Sequence, residues 1–215
     1  LHVLVLNAGI FMPPSKVTVD GYEATFGVNH LSHFYLVSLL LPLLRSSVPS
    51  RIVVVASEAH ERVANLVRGS VSDRLSSLIP PPSTSHNSLT LYSLSKMCNV
   101  LMALKLHRDE NGQGIDVYVL HPGSMIATSI AREMGFLAKV INLVLWPFTK
   151  SVSQGAATTV YCAGHPEISG VSGRYWENCW DDEKRLFKEI AKDELLQDAL
   201  WERSVEMIRE RKNRQ

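Results

Sequence analysis

The sequence has few cysteines and little excess charge of either sign, and both absences exclude classes of function. Its three cysteines, Cys98, Cys162 and Cys179, are odd in number and lack the CxxC spacing of a zinc or thiol–disulfide site. They are therefore expected to be reduced thiols of a cytoplasmic protein. The formal net charge of +1 gives no electrostatic reason to bind nucleic acid or an anionic lipid surface.

Apolar runs long enough to cross a membrane are also missing. Leu36–Leu44 and the stretch FLAKVINLVLWPF, residues 136–148, are shorter than the ~18–20 apolar residues that a spanning helix needs. We expect both to be core or interface helices. No charged segment precedes the first apolar run, so no signal peptide is visible in the residues present.

Short apolar segments alternate with longer segments of helical spacing. His2–Leu6, Arg51–Ala56 and Asp116–Leu120 are apolar without polar alternation, which is typical of strands buried on both faces of a parallel sheet. The predicted helices are 21–44, 92–107 and 152–164, and a fourth short strand is predicted at 173–176. This alternation predicts an α/β fold with a doubly wound parallel sheet.

Two segments depart from that alternation. Residues 58–90 contain Pro80, Pro81 and Pro82 and many serines, and are too long for an ordinary connection. We expect a partly mobile, irregular insertion near a site. Residues beyond Asp181 are rich in charge and have apolar side chains at helical spacing. The chain is therefore predicted to have one domain over 1–180 and an amphipathic tail over 181–215.

Three of the predicted strands end in residues suited to a binding site. The strand ends are Asn7-Ala8-Gly9, Ser57 and His121-Pro122-Gly123. Ligands of open α/β sheets bind at the carboxyl ends of the strands, near the point where the strand order reverses. The sequence therefore predicts a site at this edge of the sheet.

Tyr92 and Lys96, in YSLSK, lie four residues apart on one face of a predicted helix. An ammonium near a phenol stabilises the phenolate and lowers the phenol's pKa from about 10. Ser57 could hydrogen-bond to the same substrate oxygen, and the three groups together could move a proton at a carbonyl or alcohol carbon. Such a pair alone is a weak signal, because it is also a common surface contact; its place after a strand-end serine gives it weight.

Five motifs occur in the order found in the short-chain dehydrogenase/reductase superfamily. They are NAG (7–9), VNHLSHF (28–34), VVVASEAH (53–60), YSLSK (92–96) and HPG (121–123). The chain resembles that superfamily as far as about Trp180. The resemblance implies the C-terminal portion of a Rossmann-like sheet lacking its first strands. It also implies an NAD(P)-dependent oxidoreductase that interconverts an alcohol and a carbonyl.

The resemblance assigns a catalytic role to four residues. Tyr92 matches the catalytic acid/base, and Lys96 matches the residue that lowers its pKa. Ser57 matches the serine that polarises the substrate oxygen. Asn29 matches the asparagine whose helix site holds a proton-relay water, although it could instead be a helix-interior polar group satisfied locally.

The resemblance also implies NAD or NADP as the cofactor. The residues that match the family's cofactor contacts are the turn Asn7, Ala8 and Gly9, the ribose-holding Tyr92 and Lys96, and the nicotinamide loop Pro122 and Gly123. The glycine-rich turn TGxxxGxG, where a helix N-terminus meets the pyrophosphate, has no counterpart, since Gly9 is the only glycine before residue 21. The residue that distinguishes NAD from NADP is not found either.

The missing glycine-rich turn explains why the chain opens on a buried strand with no methionine before it. It predicts an N-terminally truncated fragment with an exposed apolar edge at His2–Leu6. We expect these 215 residues alone to bind a dinucleotide poorly and to turn over slowly or not at all. Tight binding of NAD(H) or NADP(H) in calorimetry would contradict this.

Two histidines and one cysteine near these motifs are not assigned to chemistry. His30 and His33 are three residues apart on one predicted helix and suggest a metal pair, but no third ligand is evident. We interpret them as core or supporting histidines and predict no metal. Cys98, beside Lys96, is interpreted as a packing residue.

The motifs NHLSHFYLV, YSLSKMCNVL and LHPG resemble the retinol-dehydrogenase-like branch of the superfamily, which implies a lipophilic, retinoid- or steroid-like substrate. Thr128 stands five residues after Gly123. This spacing, with WPFTKSVSQGAATTVYCA, is similar to the members of the branch that carry WW domains. The tail WDDEKRLFKEIAKDELLQDALWERS departs from them.

Other functions stay open at this stage. If WW domains accompany the chain, it could belong to a signalling adaptor that binds proline-rich proteins, with the reductase domain secondary. A hydrophobic anchor would instead favour a membrane-associated dehydrogenase. A sugar-nucleotide epimerase also uses Tyr and Lys four apart, but the NAG turn and short length argue against it. A homodimer is expected by analogy alone.

Overall fold

A five-stranded sheet forms the centre of the computed structural model, which describes residues 1–123 and 151–213. The strands follow chain order across the sheet: β1 (Val3–Leu6), β2 (Ser50–Val55), β3 (Ile115–His121), β4 (Arg174–Glu177) and β5 (Trp180–Asp181). The first four are parallel, and β5 pairs antiparallel with β4. The predicted α/β fold with a parallel sheet is confirmed.

Six α-helices surround the sheet within the described residues. They are α1 (Ala24–Arg45), α2 (Val71–Leu78), α3 (Ser88–Glu110), α4 (Val152–Gly164), α5 (Lys188–Ala191) and α6 (Glu194–Lys212). Helix α1 contains one wide π-helical turn, Gly27–Leu31. Short 3-10 helices occupy Glu58–Val63, Asn111–Gln113 and Pro166–Ile168.

Helices cover both faces of the sheet at β2 and β3, which is why these strands lack polar alternation. At the edge strand β1, Val3 and Val5 are 38% and 40% exposed, so the prediction that His2–Leu6 is buried on both faces is wrong. Ile52 and Val54 of β2 pack in the larger core with residues of α1, α3 and α6. Val53 and Val55 point to the opposite face and pack in a second core with Cys162 of α4. Because both faces exclude water, every second residue is as apolar as its neighbours.

The prediction of an irregular insertion over 58–90 is wrong for two segments, Glu58–Val63 and α2. Helix α2 begins at a capping box, in which the Ser70 hydroxyl accepts from the Asp73 amide and the Asp73 carboxylate accepts from the Ser70 amide. Leu78 at its other end is fully buried in the larger core. Capping and one buried anchor thus form a helix despite the serine-rich composition.

The C-terminal segment is packed onto the helices of the larger core. Leu196 and Leu200 of α6 are buried, and the Trp201 ring meets the Phe34 ring edge-on with centroids 4.7 Å apart. The Tyr22 hydroxyl donates to the Met207 carbonyl at 2.9 Å. The proposed division of the chain at residue 180 stays a prediction.

The expectation that no apolar segment is long enough to cross a membrane is corrected by α1, which extends the run Leu36–Leu44 back to Ala24 and is long and apolar enough by length and composition. In the fold it is a half-buried helix, with Val37 and Leu44 inaccessible and Leu36, Leu39 and Leu43 exposed. The first apolar run noted in the sequence therefore contributes one face to the core. The second run, 136–148, and Thr128 lie outside the described residues.

Candidate active site

The strand register brings three strand ends to one edge of the sheet. Leu6 is paired with Val54, and Val55 is paired with Leu120. The residues that follow β1, β2 and β3 therefore leave the sheet at nearly the same level. These include the predicted turn at 7–9, Ser57 and the HPG loop.

Tyr92 and Ser57 lie side by side at this edge. Helix α3 is capped by Asn87, whose side chain accepts from the Thr90 amide at 2.9 Å, so Tyr92 falls in the second turn. The Phe11 ring packs edge-on against the Tyr92 ring, with centroids 5.4 Å apart. Burial raises the pKa of Tyr92, and a side-chain hydrogen bond with Ser57 opposes this shift. The two hydroxyls predicted to share a substrate oxygen are therefore neighbours.

Lys96 lies beneath the Tyr92 ring, one helical turn further along α3. Its side chain is 3% exposed, and its Nζ donates to the Val55 carbonyl at 2.9 Å. The same Nζ lies 5.5 Å from the centroid of the Tyr92 ring. Burial lowers the pKa of Lys96 to about 8.

The expected lowering of the Tyr92 pKa by Lys96 is not found in this structure. Burial raises that pKa instead, and Ser57 is the group that opposes the rise. The physical reason is the placement of the ammonium, which is bonded to a strand carbonyl and faces the ring. An ammonium in this position does not donate to the phenolic oxygen.

Asn29 fastens the loop after β1 to helix α3. Its Oδ1 accepts from the Ile10 amide at 2.7 Å, while its Nδ2 donates to the Ile10 carbonyl and to the Ser95 hydroxyl, both at 3.0 Å. Asn29 lies within the π-helical turn of α1, a feature that is frequent at functional sites. Its side chain is thus satisfied by distant partners. Its assignment to a proton-relay water stays a prediction.

The residues at this edge fit the nicotinamide end of a dinucleotide. A side chain at Gly9 would bring its Cβ within 3.3 Å of the Asn29 Oδ1 and 3.6 Å of the Lys96 Nζ, so glycine keeps this approach open. Residues 7–9 are exposed. Gly123, after β3, has φ of 100°, a backbone conformation that favours glycine. The predicted Asn7, Ala8, Gly9, Pro122 and Gly123 therefore lie where a flat ring and its ribose could reach Tyr92 and Lys96.

Sequence reasoning did not identify His60 and Arg185 as neighbours of the site. The His60 ring lies 2.7 Å from the Ser57 carbonyl, and Arg185 pairs with Glu58 at 2.8 Å. The sequence places Arg185 in a charge-rich tail, 127 positions from Glu58. No local spacing links the two segments, so the signal is absent from the sequence alone.

His30 and His33 are buried neutral residues of the larger core. The His30 Nε2 donates to the Ser204 hydroxyl at 3.1 Å, since that hydroxyl itself donates to the Leu200 carbonyl. Burial lowers the pKa of His30 to about 3 and that of His33 to about 4. No group of three His, Cys, Asp or Glu side chains within residues 1–123 and 151–213 could hold a metal ion.

These two histidines should make the fold sensitive to acid. Between pH 6.5 and about 4 they are protonated in the unfolded chain and neutral in the folded one. The unfolded state then binds more protons, so the free energy of unfolding should fall with decreasing pH by about 1.4 kcal/mol per pH unit for each histidine. Urea denaturation at a series of pH values measures this slope.

His30→Gln and His33→Gln should each flatten the slope, whereas His86→Gln, at an exposed position, should leave it as it is. An unchanged slope in both core variants would show that these histidines are already protonated in the folded protein.

Comparison with known proteins agrees with the fold and the site. No protein-family profile matches the chain. The chain is 26% identical to a short-chain dehydrogenase from Burkholderia cenocepacia J2315, solved in complex with NADP. The two structures agree with a TM-score of 0.55 over 81% of this chain and 62% of that one. By fold, motif order and relatives, the chain belongs to the short-chain dehydrogenase/reductase superfamily, which uses NAD or NADP.

Within the superfamily, two groups of relatives stand out. The chain is 44% identical over 211 residues to the WW domain-containing oxidoreductase of Danio rerio, covering 98% of this chain and 50% of that protein. It is 42% identical over 212 residues to human retinol dehydrogenase 14, covering 97% of this chain and 59% of that protein. The chain thus spans about half the length of the first of these relatives. The retinol-dehydrogenase-like branch expected from the motifs is confirmed.

Proposed function

We propose that the chain carries the catalytic residues of an NAD(P)-dependent oxidoreductase that interconverts an alcohol and a carbonyl. The observation that carries this proposal is the buried Lys96 ammonium 5.5 Å from the centroid of the Tyr92 ring, at a sheet edge where Ser57 is near enough to oppose the rise of the Tyr92 pKa. A phenol and a hydroxyl placed together can both donate to one substrate oxygen.

In the proposed reaction, Tyr92 donates its proton to the carbonyl oxygen during reduction and takes it back during alcohol oxidation. Ser57 donates a hydrogen bond to the same oxygen and holds it beside the phenol. Lys96, when charged, stabilises the phenolate that Tyr92 becomes. Asn29 holds the loop after β1 against α3 and so keeps that loop in place beside Tyr92 and Lys96. The nicotinamide, when bound, accepts or supplies the hydride.

For the substrate we propose a lipophilic, retinoid- or steroid-like alcohol or carbonyl compound. Its support is the similarity to a protein named retinol dehydrogenase 14. For the compartment we propose the reducing cytoplasm, because Cys98 and Cys162 are buried unpaired thiols. A membrane-associated protein would fit the apolar α1 and is the alternative.

The test measures turnover of the full-length protein with NADH and with NADPH, using retinaldehyde and the hydrophilic glyceraldehyde. Ser57→Ala should lower kcat by about 10²-fold, because a transition-state hydrogen-bond donor is lost. The matched control is Ser50→Ala, since Ser50 is a buried serine at the opposite end of β2 whose hydroxyl donates to the Leu44 carbonyl at 3.1 Å. Equal turnover of the Ser57 variant and wild type would overturn the proposal, and a preference for glyceraldehyde would overturn the lipophilic substrate.

A signalling adaptor is the second candidate function. It is favoured by the 44% identity to a protein named for WW domains, of which the chain covers half. Titration of the full-length protein with a proline-rich peptide, and with the same peptide after Pro→Ala replacement, tests this function. Proline-dependent binding together with no turnover would favour the adaptor. A homodimer is proposed by analogy and is checked by sedimentation.

A further inference from the structure

We propose that His60 and Arg185 are positioning residues that fasten the Ser57 loop to the segment after β5, so that the Ser57 hydroxyl stays beside the Tyr92 phenol. The inference rests on the proposed function of Ser57. It adds a role for a part of the chain that is distant in sequence from every catalytic residue.

The first observation is a buried imidazole bridge. His60 is 0% exposed, and its Nε2 accepts from the Phe187 amide at 3.3 Å. The proton must therefore be on Nδ1, which lies 2.7 Å from the Ser57 carbonyl and donates to it. Burial lowers the pKa of His60, and the nearby Arg185 lowers it further against the Ser57 hydrogen bond. A neutral ring thus joins the backbone of Ser57 to the backbone of Phe187.

The second observation is an ion-pair cluster two residues before Phe187. The Arg185 guanidinium pairs with Glu58 at 2.8 Å, with Glu177 at 2.9 Å and with Glu61 at 3.4 Å. Glu58 directly follows Ser57, and Glu177 is the last residue of β4. One cation therefore ties the loop after β2 to the end of β4.

These contacts act on the residue that joins the end of β2 to the 3-10 helix Glu58–Val63. Ser57 is extended, with φ of −168° and ψ of 153°, and begins the 3-10 helix Glu58–Val63. Its hydroxyl accepts from the Ala59 amide at 3.2 Å. The carbonyl of the same residue is bonded to the His60 amide and ring. The orientation of Ser57 is thus fixed from the His60 side.

Removal of Arg185 should displace Ser57 for an electrostatic reason, and removal of the His60 imidazole should displace it by loss of hydrogen bonds. Without Arg185, the carboxylates of Glu58, Glu61 and Glu177 remain close together with no guanidinium among them. Glu177 is only 7% exposed, so leaving it unpaired is unfavourable. Without the His60 nitrogens, the Ser57 carbonyl and the Phe187 amide each lose a buried partner.

The experiment measures the pKa of Tyr92 in the full-length protein by NMR of ¹³Cζ-labelled tyrosine. The Tyr92 signal is identified as the one that is missing from Tyr92→Phe. Ser57→Ala should raise this pKa, because the opposing hydrogen bond is lost. His60→Phe, which keeps a ring against Tyr175, and Arg185→Met should raise it in the same direction. His60→Asn, which retains a donor toward Ser57, and Arg185→Lys should recover part of the change.

The control is Arg203→Met, because Arg203 is 39% exposed and pairs with two carboxylates of its own helix α6. It should leave the Tyr92 pKa unchanged. Adding His60→Phe or Arg185→Met to Ser57→Ala should produce no further rise, since both act through Ser57. His60→Phe and Arg185→Met should each lower kcat about tenfold or more, while the KM for the cofactor should change little.

An unchanged Tyr92 pKa in both His60→Phe and Arg185→Met, with Ser57→Ala raising it, would overturn the positioning role. Effects that add fully to those of Ser57→Ala would overturn it as well. If the pKa pattern holds while the wild-type protein turns over no alcohol or carbonyl compound, the positioning role stands and the proposed function fails.

Discussion

Turnover should be almost abolished in Tyr92→Phe, while the fold stays intact. Tyr92 is the proposed proton donor, and loss of a general acid typically lowers the rate by about 10²–10⁴-fold. The variant keeps the buried ring and loses only the interaction of the hydroxyl with Ser57, so stability should fall by only about 1 kcal/mol. The measurement is kcat for carbonyl reduction by the full-length protein, together with its urea midpoint.

Tyr118→Phe is the matched control for that experiment. The Tyr118 side chain is also buried, and its hydroxyl donates to the Ile168 carbonyl at 2.7 Å, away from the site. Its removal should lower stability by about 1 kcal/mol and leave kcat within twofold. If Tyr92→Phe retained wild-type turnover, Tyr92 would have no part in the mechanism.

Lys96→Met should separate activity from stability. We expect kcat to fall by at least about 10²-fold, because the phenolate of Tyr92 would lose its nearby positive charge. Stability at pH 7 should not fall, because lowering of the Lys96 pKa from 10.5 to about 8 means that burial of this ammonium opposes folding by roughly 3 kcal/mol. The hydrogen bond to the Val55 carbonyl offsets part of that amount.

The pH dependence of unfolding gives the sign of the Lys96 contribution to stability. Between pH 8 and 10.5 the wild-type lysine is charged in the unfolded chain and neutral in the folded one. Wild-type stability should therefore rise through this range, and Lys96→Met should lack that contribution. Lys105→Met is the control on the same helix, because Lys105 pairs with Asp109 at 2.8 Å at the surface. A large loss of stability in Lys96→Met at pH 7 would mean that the ammonium is a net stabilising group.

The fold was largely predictable, because β2 and β3 are buried on both faces and the long helices are apolar at regular spacing. The strand predicted at Arg51–Ala56 is found at Ser50–Val55, and the helix predicted at 152–164 has those bounds. Helix α2 was missed because Ser70 and Asp73 form a cap whose effect exceeds that of the surrounding serines. The π-helical turn in α1 also has no signal in apolar spacing.

The site was predictable where its residues follow strand ends or share a helix face. Ser57, Tyr92, Lys96 and Asn29 do meet at one edge of the sheet, although their proposed chemical roles stay predictions. Spacing cannot show how a charge is oriented, so the rise in the Tyr92 pKa was not foreseen. Nor can it show which distant segment returns to a loop, as Arg185 does.

The π-helical turn in α1 determines the direction in which the side chains of the rest of that helix point. One additional residue in that turn rotates the following segment by about 100° relative to a regular helix. Because of this offset, Asn29 can reach the main chain of Ile10 while Phe34 and Val37 still point into the core. If this sequence were wound regularly throughout, the offset would be lost, and Asn29 could not reach Ile10 while Phe34 and Val37 stayed in the core.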